Sequence, residues 1–325
     1  MKILVTGCAG FIGYHLSLKI LKESNHVLHG IDNLNNYYDL DLKKKRIKLL
    51  KNLKKKFIFS KIDIYNESKI DNLFKLKKFD CVINLAAQAG VRYSLKNPKT
   101  YLDNNINGFF NILNFSKEKK VKNLIFASTS SVYGNAKKFP LKESYDTSSP
   151  IQMYAATKKT NELMAHAYSH LYKMKITGLR FFTVYGPWGR PDMALSIFTK
   201  SIIEKKAIKL FNYGNHTRDF TYVDDIVSGI IKLIYKKNNS KSKFKIFNLG
   251  NNKPITLKKY IWLIEKNLKI KAKKKYLPLQ AGDVEKTHSN TNLLKKEINF
   301  IPKTKPEKGI FNFIKWYLEY YKITL

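Results

Sequence analysis

The alternation of β-rich and helical segments limits the fold of this sequence more than any other feature. Short runs rich in Val, Ile, Leu and Phe predict strands at 2–6, 26–31, 56–62, 79–86, 123–128 and 175–182. Amphipathic segments between these runs predict helices at 11–23, 41–51, 66–76, 98–119 and 153–172. Strands that alternate with helices build a parallel sheet with helices on both of its faces. The sequence therefore predicts an α/β protein with a doubly wound parallel sheet.

The regular pattern ends near residue 183, where loops, shorter elements and a Lys-rich tail follow. One more strand is predicted at 246–250, and apolar residues at helical spacing predict a last helix at 308–321. Asp224 and Asp225 are expected to cap the helix that follows them. We expect a sheet domain and a smaller, interleaved lobe, which divide the chain into 1–182 plus 224–250 and 183–223 plus 251–325.

Lysine supplies most of the formal net charge of +37. The sequence contains only five arginines: Arg46, Arg92, Arg180, Arg190 and Arg218. Nucleic-acid readers favour Arg, whose planar fork matches phosphates and bases. Because the lysines are scattered over the whole chain, we attribute the charge to compositional bias and keep nucleic-acid binding as the alternative. Each remaining Arg is then a candidate for a geometry that Lys cannot supply.

The sequence contains no apolar run long enough to cross a bilayer. Its first residues include three glycines and do not match a signal peptide. Cys8 and Cys81 lie alone in apolar surroundings, which predicts buried thiols rather than a disulfide. We therefore expect a cytoplasmic protein that does not bind membranes.

Gly7, Gly10 and Gly13 separate the first predicted strand from the first helix. Glycines let backbone amides approach a pyrophosphate, which rests at the positive N-terminus of the helix. Asp32 ends the second strand about twenty residues later, where a carboxylate can bind a ribose diol and disfavours a ribose phosphate. The combination predicts a Rossmann-type domain that binds NAD rather than NADP. A tight strand–helix turn without a ligand is the alternative.

Tyr154 and Lys158 lie four residues apart in a segment without Gly or Pro. This spacing places both side chains on one face of a helix, one turn apart. A tyrosine with a pKa near ~10 is a poor base at neutral pH, but a nearby ammonium favours the phenolate. By itself, the pair would most simply be a solvated helix face.

Four motifs together resemble the extended short-chain dehydrogenase/reductase family. In chain order they are the glycine-rich loop, "NLAAQAG" (84–90), "STSSVYG" (128–134) and Tyr154-x-x-x-Lys158. "NLAAQAGVRYS", "YAATKK", "LRFFTVYGPWGRPDM" and "RDFTYVDDIV" extend the resemblance nearly end to end. They make the chain similar to NAD-dependent nucleotide-sugar 4-epimerases, above all to bacterial UDP-glucuronate 4-epimerases. The sequence departs from this family in Lys-rich surface segments and in "LQAGDVEKTH".

The resemblance implies that NAD binds along the glycine-rich loop and the ends of the strands that follow. The implied cofactor-binding residues are Gly7, Gly10, Phe11, Ile12, Gly13, Asp32, Asn33, Asp63, Ile64, Ala86, Ala87, Tyr154 and Lys158.

The resemblance also implies epimerisation at C4 of a UDP-sugar, from UDP-glucuronate to UDP-galacturonate, through a transient 4-keto sugar. Tyr154 would take the proton of the 4-hydroxyl, Thr129 would hydrogen-bond the same oxygen, and Lys158 would bond the nicotinamide ribose. The keto sugar would turn about its diphosphate link, so that no net oxidation occurs. Ser130 and Ser131 stand where related dehydratases and decarboxylases carry carboxylates, which disfavours both of those reactions.

The implied substrate-binding residues are Arg92, Thr129, Ser130, Thr183, Arg190, Arg218 and Asp283. Arg190 would lie near the sugar C6, with Thr183 beside it and Ser130 opposite. A bidentate Arg–carboxylate pair suits glucuronate; alternatively, Arg190 only braces its loop. Arg218 would contact the diphosphate and Asp283 the uridine ribose, with Arg92 as a second phosphate or sugar contact.

The family usually dimerises through the helices at 98–119 and 153–172, packed as a four-helix bundle, so a homodimer is implied. His166 and His170 are spaced like zinc ligands, but the sequence shows no third ligand and the family uses no metal, so we expect none. One alternative function is a 4-epimerase of a neutral or N-acetylated UDP-hexose. The other is a basic nucleic-acid-binding protein on a dehydrogenase scaffold.

Overall fold

A seven-stranded parallel sheet lies at the centre of the computed structural model, which describes residues 1–236 and 242–325. The strands, in chain order, are β1 (Lys2–Thr6), β2 (Val27–Asp32), β3 (Phe57–Lys61), β4 (Cys81–Asn84), β5 (Asn123–Thr129), β6 (Ile176–Phe181), β7 (Thr183–Tyr185), β8 (Ile208–Leu210), β9 (Thr217–Arg218), β10 (Phe220–Tyr222), β11 (Phe244–Leu249), β12 (Ile255–Thr256) and β13 (Lys274–Tyr276). The sheet order is β11–β6–β5–β4–β1–β2–β3. The chain reverses its direction of growth between β1 and β4, which makes the sheet doubly wound, as predicted.

Helices cover both faces of the sheet and build the rest of the molecule. In chain order they are α1 (Phe11–Glu23), α2 (Leu40–Asn52), α3 (Glu67–Leu76), α4 (Val91–Lys96), α5 (Pro98–Tyr101), α6 (Gly108–Glu118), α7 (Met153–Tyr172), α8 (Ala194–Ile203), α9 (Val223–Tyr235), α10 (Leu257–Leu268), α11 (Asn292–Ile298) and α12 (Pro306–Tyr321). Within the described residues, no helix combines the length and the apolarity needed to cross a bilayer.

The sheet separates two apolar layers because side chains alternate across each strand. In β1, Ile3 and Val5 pack into one layer, which α1 and α9 cover, whereas Leu4 packs into the other. That second layer lies under α3 and α6. A parallel sheet buried on both faces needs continuous apolar strands rather than alternating ones, which explains runs such as "KILV". Cys8 and Cys81 are both buried free thiols, as the sequence predicted.

A third apolar cluster is formed by α8, α10, α12 and short strands beyond β6. At its centre, the rings of Phe220 and Tyr260 stack with centroids 3.9 Å apart and an interplanar angle of 6°. The predicted last helix is present as α12, whose buried face includes Phe313 and Ile314. The chain returns to the sheet from this cluster through α9 and β11.

The prediction of one continuous helix at 98–119 is wrong for the middle of that range. The chain forms α5, then a π-helical segment (Leu102–Asn107), and only then α6. The Asn105 side chain is buried there and bonds both backbone groups of Gln88, at 2.8 and 3.1 Å, and the Thr157 hydroxyl, at 3.1 Å. These contacts with other parts of the chain favour the wider turn, which no local sequence pattern reveals.

The expectation that Asp224 and Asp225 cap a helix is also wrong. Helix α9 has Tyr222 at its N-cap, and both carboxylates lie inside its first turn. Their negative charges still interact favourably with the positive end of the helix dipole. The Asp225 carboxylate instead accepts hydrogen bonds from the backbone of Lys303 at 3.2 Å and Thr304 at 3.0 Å. Its partners are nearly eighty residues away, so the sequence gives no local sign of them.

A buried ion pair fastens α7 to the sheet. Arg180 in β6 donates from Nε and Nη2 to the two oxygens of Glu162, each at 2.8 Å. The Ser128 hydroxyl at the end of β5 donates to the same carboxylate at 2.6 Å. Arg180 thus uses the planar fork that Lys lacks, and the pair fixes how α7 lies over the ends of β5 and β6.

Candidate active site

A cavity of about 400 Å³ opens at the carboxyl ends of the sheet strands, where the strand order reverses. This is the position at which doubly wound sheets bind ligands, and the volume suits a cofactor or substrate. All of the residues predicted to bind the cofactor line it: Gly7, Gly10, Phe11, Ile12, Gly13, Asp32, Asn33, Asp63, Ile64, Ala86, Ala87, Tyr154 and Lys158. Four residues predicted to bind the substrate line it as well: Thr129, Ser130, Thr183 and Arg190.

The glycine-rich loop is shaped to receive a phosphate group. Gly7 has a φ of +69°, and a Cβ on Gly13 would collide with the Gly7 carbonyl oxygen. Helix α1 begins directly after Gly10, which offers no side-chain cap to the first turn. The backbone N–H groups of that turn are therefore available to an anion, at the positive end of the helix. The donor set fits the pyrophosphate of NAD.

Asp32 ties the loop to the end of β2 and faces the same cavity. Its carboxylate accepts hydrogen bonds from the backbone N–H of Ala9 at 3.2 Å and of Leu34 at 2.8 Å. Burial raises the pKa of Asp32, and these hydrogen bonds together with the charge of Lys43 oppose that rise. A carboxylate held at this point can accept hydrogen bonds from the hydroxyls of a ribose.

Tyr154 and Lys158 both face the cavity from α7, where Lys158 is buried and Tyr154 is half-buried. The Lys158 ammonium donates to the carbonyl of Ala127 in β5 at 2.8 Å. Burial lowers the pKa of Lys158 to about 8. Burial also raises the pKa of Tyr154, while a hydrogen bond with Thr129 and the charge of Arg190 lower it. Among the described residues, Thr129 and Arg190 thus favour the phenolate. The expectation that Lys158 favours it as well stays a prediction.

The turn after β5 presents hydroxyl groups to the cavity. Thr129 caps a short 3₁₀ helix (Ser130–Tyr133), accepting from the Ser131 backbone N–H at 3.2 Å. Its hydroxyl also donates to the Ser131 Oγ at 3.2 Å. Thr129 is therefore held rigidly beside Tyr154, and the turn itself carries no carboxylate that could add a second acid or base.

Arg190 reaches the cavity from the loop between β7 and α8. Its guanidinium already makes a two-point contact with a carboxylate, since Nε lies 2.9 Å and Nη2 lies 2.5 Å from the oxygens of Asp192. The fork that was expected to bind a sugar carboxylate thus contacts a carboxylate of its own loop, to which the sequence assigned no role. The signal was the acidic residue two positions after Arg190 in "GRPDM".

The other three residues predicted to bind the substrate form a separate group. Arg218 donates to Asp283 at 2.9 Å, and Arg92 lies 3.9 Å from the same carboxylate. The guanidinium of Arg92 also lies over the ring of Phe211, at 4.9 Å from its centroid. Among the described residues, these three do not line the cavity. Arg92 directly follows Val91, which does line it.

Several residues of the cavity wall carried no recognisable sequence signal. They include Tyr37, Tyr38, Lys43 and Asn104. Lys43 is the first residue of a "KKK" run, and only the fold buries it while leaving its neighbours in solvent. In the part of the chain that the structure describes, no three His, Cys, Asp or Glu residues are grouped to hold a metal ion.

Known proteins resemble this chain over nearly its whole length. The model of the NAD dependent epimerase/dehydratase family matches residues 3–250. Protein CapI of Staphylococcus aureus is 48% identical over 336 residues, which cover 99% of this chain and 100% of CapI. UDP-glucuronate 4-epimerase 4 of Arabidopsis thaliana is 42% identical over 333 residues, which cover 98% of this chain and 76% of the plant protein.

A solved structure is similarly close. The UDP-glucuronic acid 4-epimerase from Bacillus cereus, in complex with UDP-glucuronic acid and NAD, superposes with a TM-score of 0.92 at 34% identity. The superposition covers 99% of this chain and 100% of the Bacillus chain. The matched family model, the doubly wound sheet and the glycine-rich cavity agree, and the chain belongs to the NAD dependent epimerase/dehydratase family.

Proposed function

We propose that this protein interconverts UDP-glucuronate and UDP-galacturonate by NAD-dependent epimerisation at C4. The observation that carries the proposal is the placement of Arg190 and Tyr154 on the wall of one cavity. A tyrosine that can act as a base stands there beside a guanidinium that can bind a sugar carboxylate. The relatives named as UDP-glucuronate 4-epimerases support the same substrate.

The cofactor-binding residues divide into two groups along the cavity. The backbone amides after Gly10 would hold the pyrophosphate, and Asp32 would accept hydrogen bonds from the hydroxyls of the adenosine ribose. Lys158 would bond the nicotinamide ribose. NAD, when bound, takes up the hydride from C4 of the sugar and gives it back, which is chemistry that no side chain can supply.

Tyr154 is the proposed base for the sugar 4-hydroxyl, and Thr129 the group that orients it. Thr129 and the positive charge of Arg190 both lower the pKa of Tyr154, which favours the phenolate. When the sugar carboxylate is held at Arg190, the 4-hydroxyl is one ring position away from the anchored end. We propose that this anchor and Thr129 together set the position of the 4-hydroxyl at Tyr154.

The proposed carboxylate clamp also protects the oxidised sugar. Oxidation at C4 produces a β-keto acid, which loses CO₂ when its C5–carboxyl bond aligns with the carbonyl π system. A guanidinium that holds the carboxylate away from that alignment disfavours the loss. Ser130 and Ser131 provide no carboxylate for an elimination, which leaves hydride return as the favoured outcome.

The group formed by Arg218, Asp283 and Arg92 is proposed to hold the UDP part of the substrate. Arg218 and Arg92 would pair with the diphosphate, and Asp283 would accept hydrogen bonds from the uridine ribose. Asp283 holds both guanidiniums close together before substrate arrives. Firm binding of UDP at this end and a freely turning sugar at the other are what an epimerase needs.

We propose the domain division 1–182 plus 224–250 for NAD binding and 183–223 plus 251–325 for the UDP-sugar. In its support, α9 and β11 join the sheet layer, while α8, α10 and α12 share an apolar cluster of their own. Residues 237–241 of the first domain lie outside the described part of the chain.

A cytoplasmic location belongs to the same proposal and is consistent with two free thiols. Cell fractionation tests the location.

A homodimer through a four-helix bundle of α6 and α7 is also proposed. These helices carry large apolar side chains that are exposed in the single chain: Phe110, Leu163, Leu171 and Tyr172. Exposed apolar side chains on these two helices support the proposal, because such side chains are common at protein–protein interfaces.

Leu163→Glu should convert the dimer to a monomer, because it places a charge in the apolar centre of the bundle. Leu163 is 59% exposed in the single chain, and Leu76 on α3, at 76%, provides the matched control. Leu76→Glu should leave the dimer intact. Sedimentation velocity distinguishes the two; a monomeric unmodified protein would contradict the dimer.

The purified protein should convert UDP-glucuronate to UDP-galacturonate without added cofactor, and chromatography that resolves the epimers measures this. Tyr154→Phe should lower turnover by about 10²–10⁴-fold, since it removes the base and keeps the ring. Its bound NAD should remain. Conversion of neutral or N-acetylated UDP-hexoses alone would move the assignment to that alternative, and no conversion of any UDP-sugar would refute the proposal.

Lys158→Met should release NAD, because it removes the group that holds the nicotinamide ribose. The Lys158 pKa of about 8 adds a pH dependence. The charged ammonium donates a stronger hydrogen bond to the ribose than the neutral amine does, so NAD affinity should fall as the pH rises through about 8. Lys158→Met should lose this dependence.

Lys75→Met is the control, since the exposed Lys75 on α3 pairs with Asp71 and does not line the cavity. Nucleotide that remains bound after gel filtration, measured at pH values on both sides of 8, tests both variants. Equal retention in unmodified protein and Lys158→Met at every pH would contradict the role of Lys158.

Arg190→Met should lower kcat/KM for UDP-glucuronate by about ten- to a hundredfold, the effect of a lost charge-assisted pair of about 1.5–3 kcal/mol. UDP-glucose should lose much less, because it carries a neutral CH₂OH. Some UDP-pentose should form as the unclamped keto acid loses CO₂. Arg190→Lys should be intermediate, since it keeps the charge and loses the fork. Mass spectrometry of the products measures all of these.

The same variant should change the pH profile with both sugars. Arg190 lowers the pKa of Tyr154, so its removal raises that pKa, and the rising limb of rate against pH should move to higher pH. If Arg190→Met loses kcat/KM equally on both sugars at every pH, Arg190 only stabilises its loop and does not bind the sugar carboxylate.

A further inference from the structure

We propose that Asp192, held by Tyr37, is the positioning residue that orients Arg190 for the sugar carboxylate. The inference rests on the proposed function and adds to it Asp192 and Tyr37, to which the sequence analysis assigned no role. Asp192 would touch neither the sugar nor the cofactor. It would act only through the guanidinium in front of it.

The two side chains of this pair have different exposures to the cavity. Arg190 lines the cavity, whereas Asp192, among the described residues, does not. Asp192 therefore stands behind the guanidinium as seen from the substrate. Its two oxygens bind Nε and Nη2 at 2.9 and 2.5 Å. Two parallel contacts of this kind fix the plane of the guanidinium, and not only its distance.

Tyr37 restrains Asp192 in turn. The Tyr37 hydroxyl donates to Asp192 Oδ2 at 3.1 Å, and the Arg190 guanidinium lies 5.6 Å from the centroid of the Tyr37 ring. The Tyr37 ring is itself packed against Tyr93, with centroids 4.8 Å apart. Gly90 makes room for this arrangement, because a Cβ there would collide with the Tyr37 hydroxyl. Arg190 is thus held by a carboxylate at one edge and by an aromatic ring.

The remaining nitrogen of the fork is left for a ligand. Nη1 of Arg190 makes no hydrogen bond with any described residue. A sugar carboxylate can therefore bind Arg190 through Nη1 without displacing Asp192. An Arg–Asp pair carries no net charge, so recognition of the carboxylate would depend on this orientation more than on long-range attraction.

The opposite role for Asp192 is competition. If the substrate had to displace Asp192 from the fork, removal of that carboxylate would strengthen glucuronate binding. If Asp192 positions Arg190, its removal weakens glucuronate binding. The two roles therefore predict changes of opposite sign for one variant, which makes the proposal testable by steady-state kinetics.

Loss of orientation should also be visible in the products. In an unrestrained 4-keto acid, the C5–carboxyl bond can break, its electron pair forming the enolate at C4 and C5 as CO₂ leaves. A proton then adds to C5 and gives the 4-keto pentose. The hydride that was removed from C4 returns to that ketone, so the net change is UDP-glucuronate plus a proton to UDP-pentose and CO₂.

The first measurement compares Asp192→Asn with the unmodified enzyme on UDP-glucuronate and UDP-glucose. We expect kcat/KM for UDP-glucuronate to fall about tenfold, the effect of one charge-assisted contact, with UDP-glucose changed less than about twofold and the UDP-pentose fraction raised. Tyr37→Phe should change the two kcat/KM values and the UDP-pentose fraction in the same directions, by smaller factors. Glu204→Gln, which removes a surface carboxylate that pairs with Lys206, should change none of them.

The second measurement is a double-mutant cycle with Arg190→Met. If Asp192 acts through Arg190, Asp192→Asn should have no further effect on sugar preference or pentose release in the Arg190→Met background. Asp192→Glu should restore part of the preference in the unmodified background, because it keeps a carboxylate. If Asp192→Asn folds poorly, Asp192→Glu and Tyr37→Phe can be compared with the unmodified enzyme in the same cycle.

Three results would overturn the positioning role: a rise in kcat/KM for UDP-glucuronate, equal losses on both sugars, or additive effects in the cycle. A rise would identify Asp192 as a competitor for the fork. Equal losses or additivity would identify it as a structural support. Failure of the unmodified enzyme to act on UDP-glucuronate would instead refute the proposed function, so the two failures are distinguishable.

Discussion

The buried pair of Glu162 and Arg180 is the interaction on which the active site depends most. It fixes α7 over the ends of β5 and β6, and Tyr154 and Lys158 lie two turns and one turn before Glu162 on the same face of that helix. The Ser128 hydroxyl joins the pair from the residue before Thr129. Loss of one partner would leave a buried, unpaired charge, at a cost of about 3–5 kcal/mol, and would free the base to move relative to β5.

The few arginines of this chain show what a planar fork contributes in a protein that otherwise uses Lys. Arg46 is fully buried and donates to the carbonyls of Ala9 and Trp188, at 2.7 and 2.5 Å, and so joins the glycine-rich loop to the loop of Arg190. Arg180 and Arg190 each hold a carboxylate at two points. Each of these contacts needs several donors in fixed directions, which one ammonium cannot supply.

Most of the sheet was predictable because its signals are local. Each predicted sheet strand agrees with the structure to within two residues at either end, since apolar β-rich runs and the helices between them are read over a few residues. The π-helical segment around Asn105 and the partners of Asp225 were not predictable. Both depend on hydrogen bonds to residues that are distant in the sequence, and the short strands of the second lobe lack a pattern of their own.

The sequence by itself determined the chemistry that the cavity can hold: three glycines before a helix, a carboxylate at the end of β2, and Tyr154 one turn from Lys158. These follow from chain order and helical period, which are fixed locally. Only the tertiary structure decided which groups act on one another. It placed Arg190 and Thr129 where they lower the Tyr154 pKa, and it placed Asp192 on the Arg190 fork. Electrostatic interactions depend on distance and burial, and neither is fixed until the chain has folded.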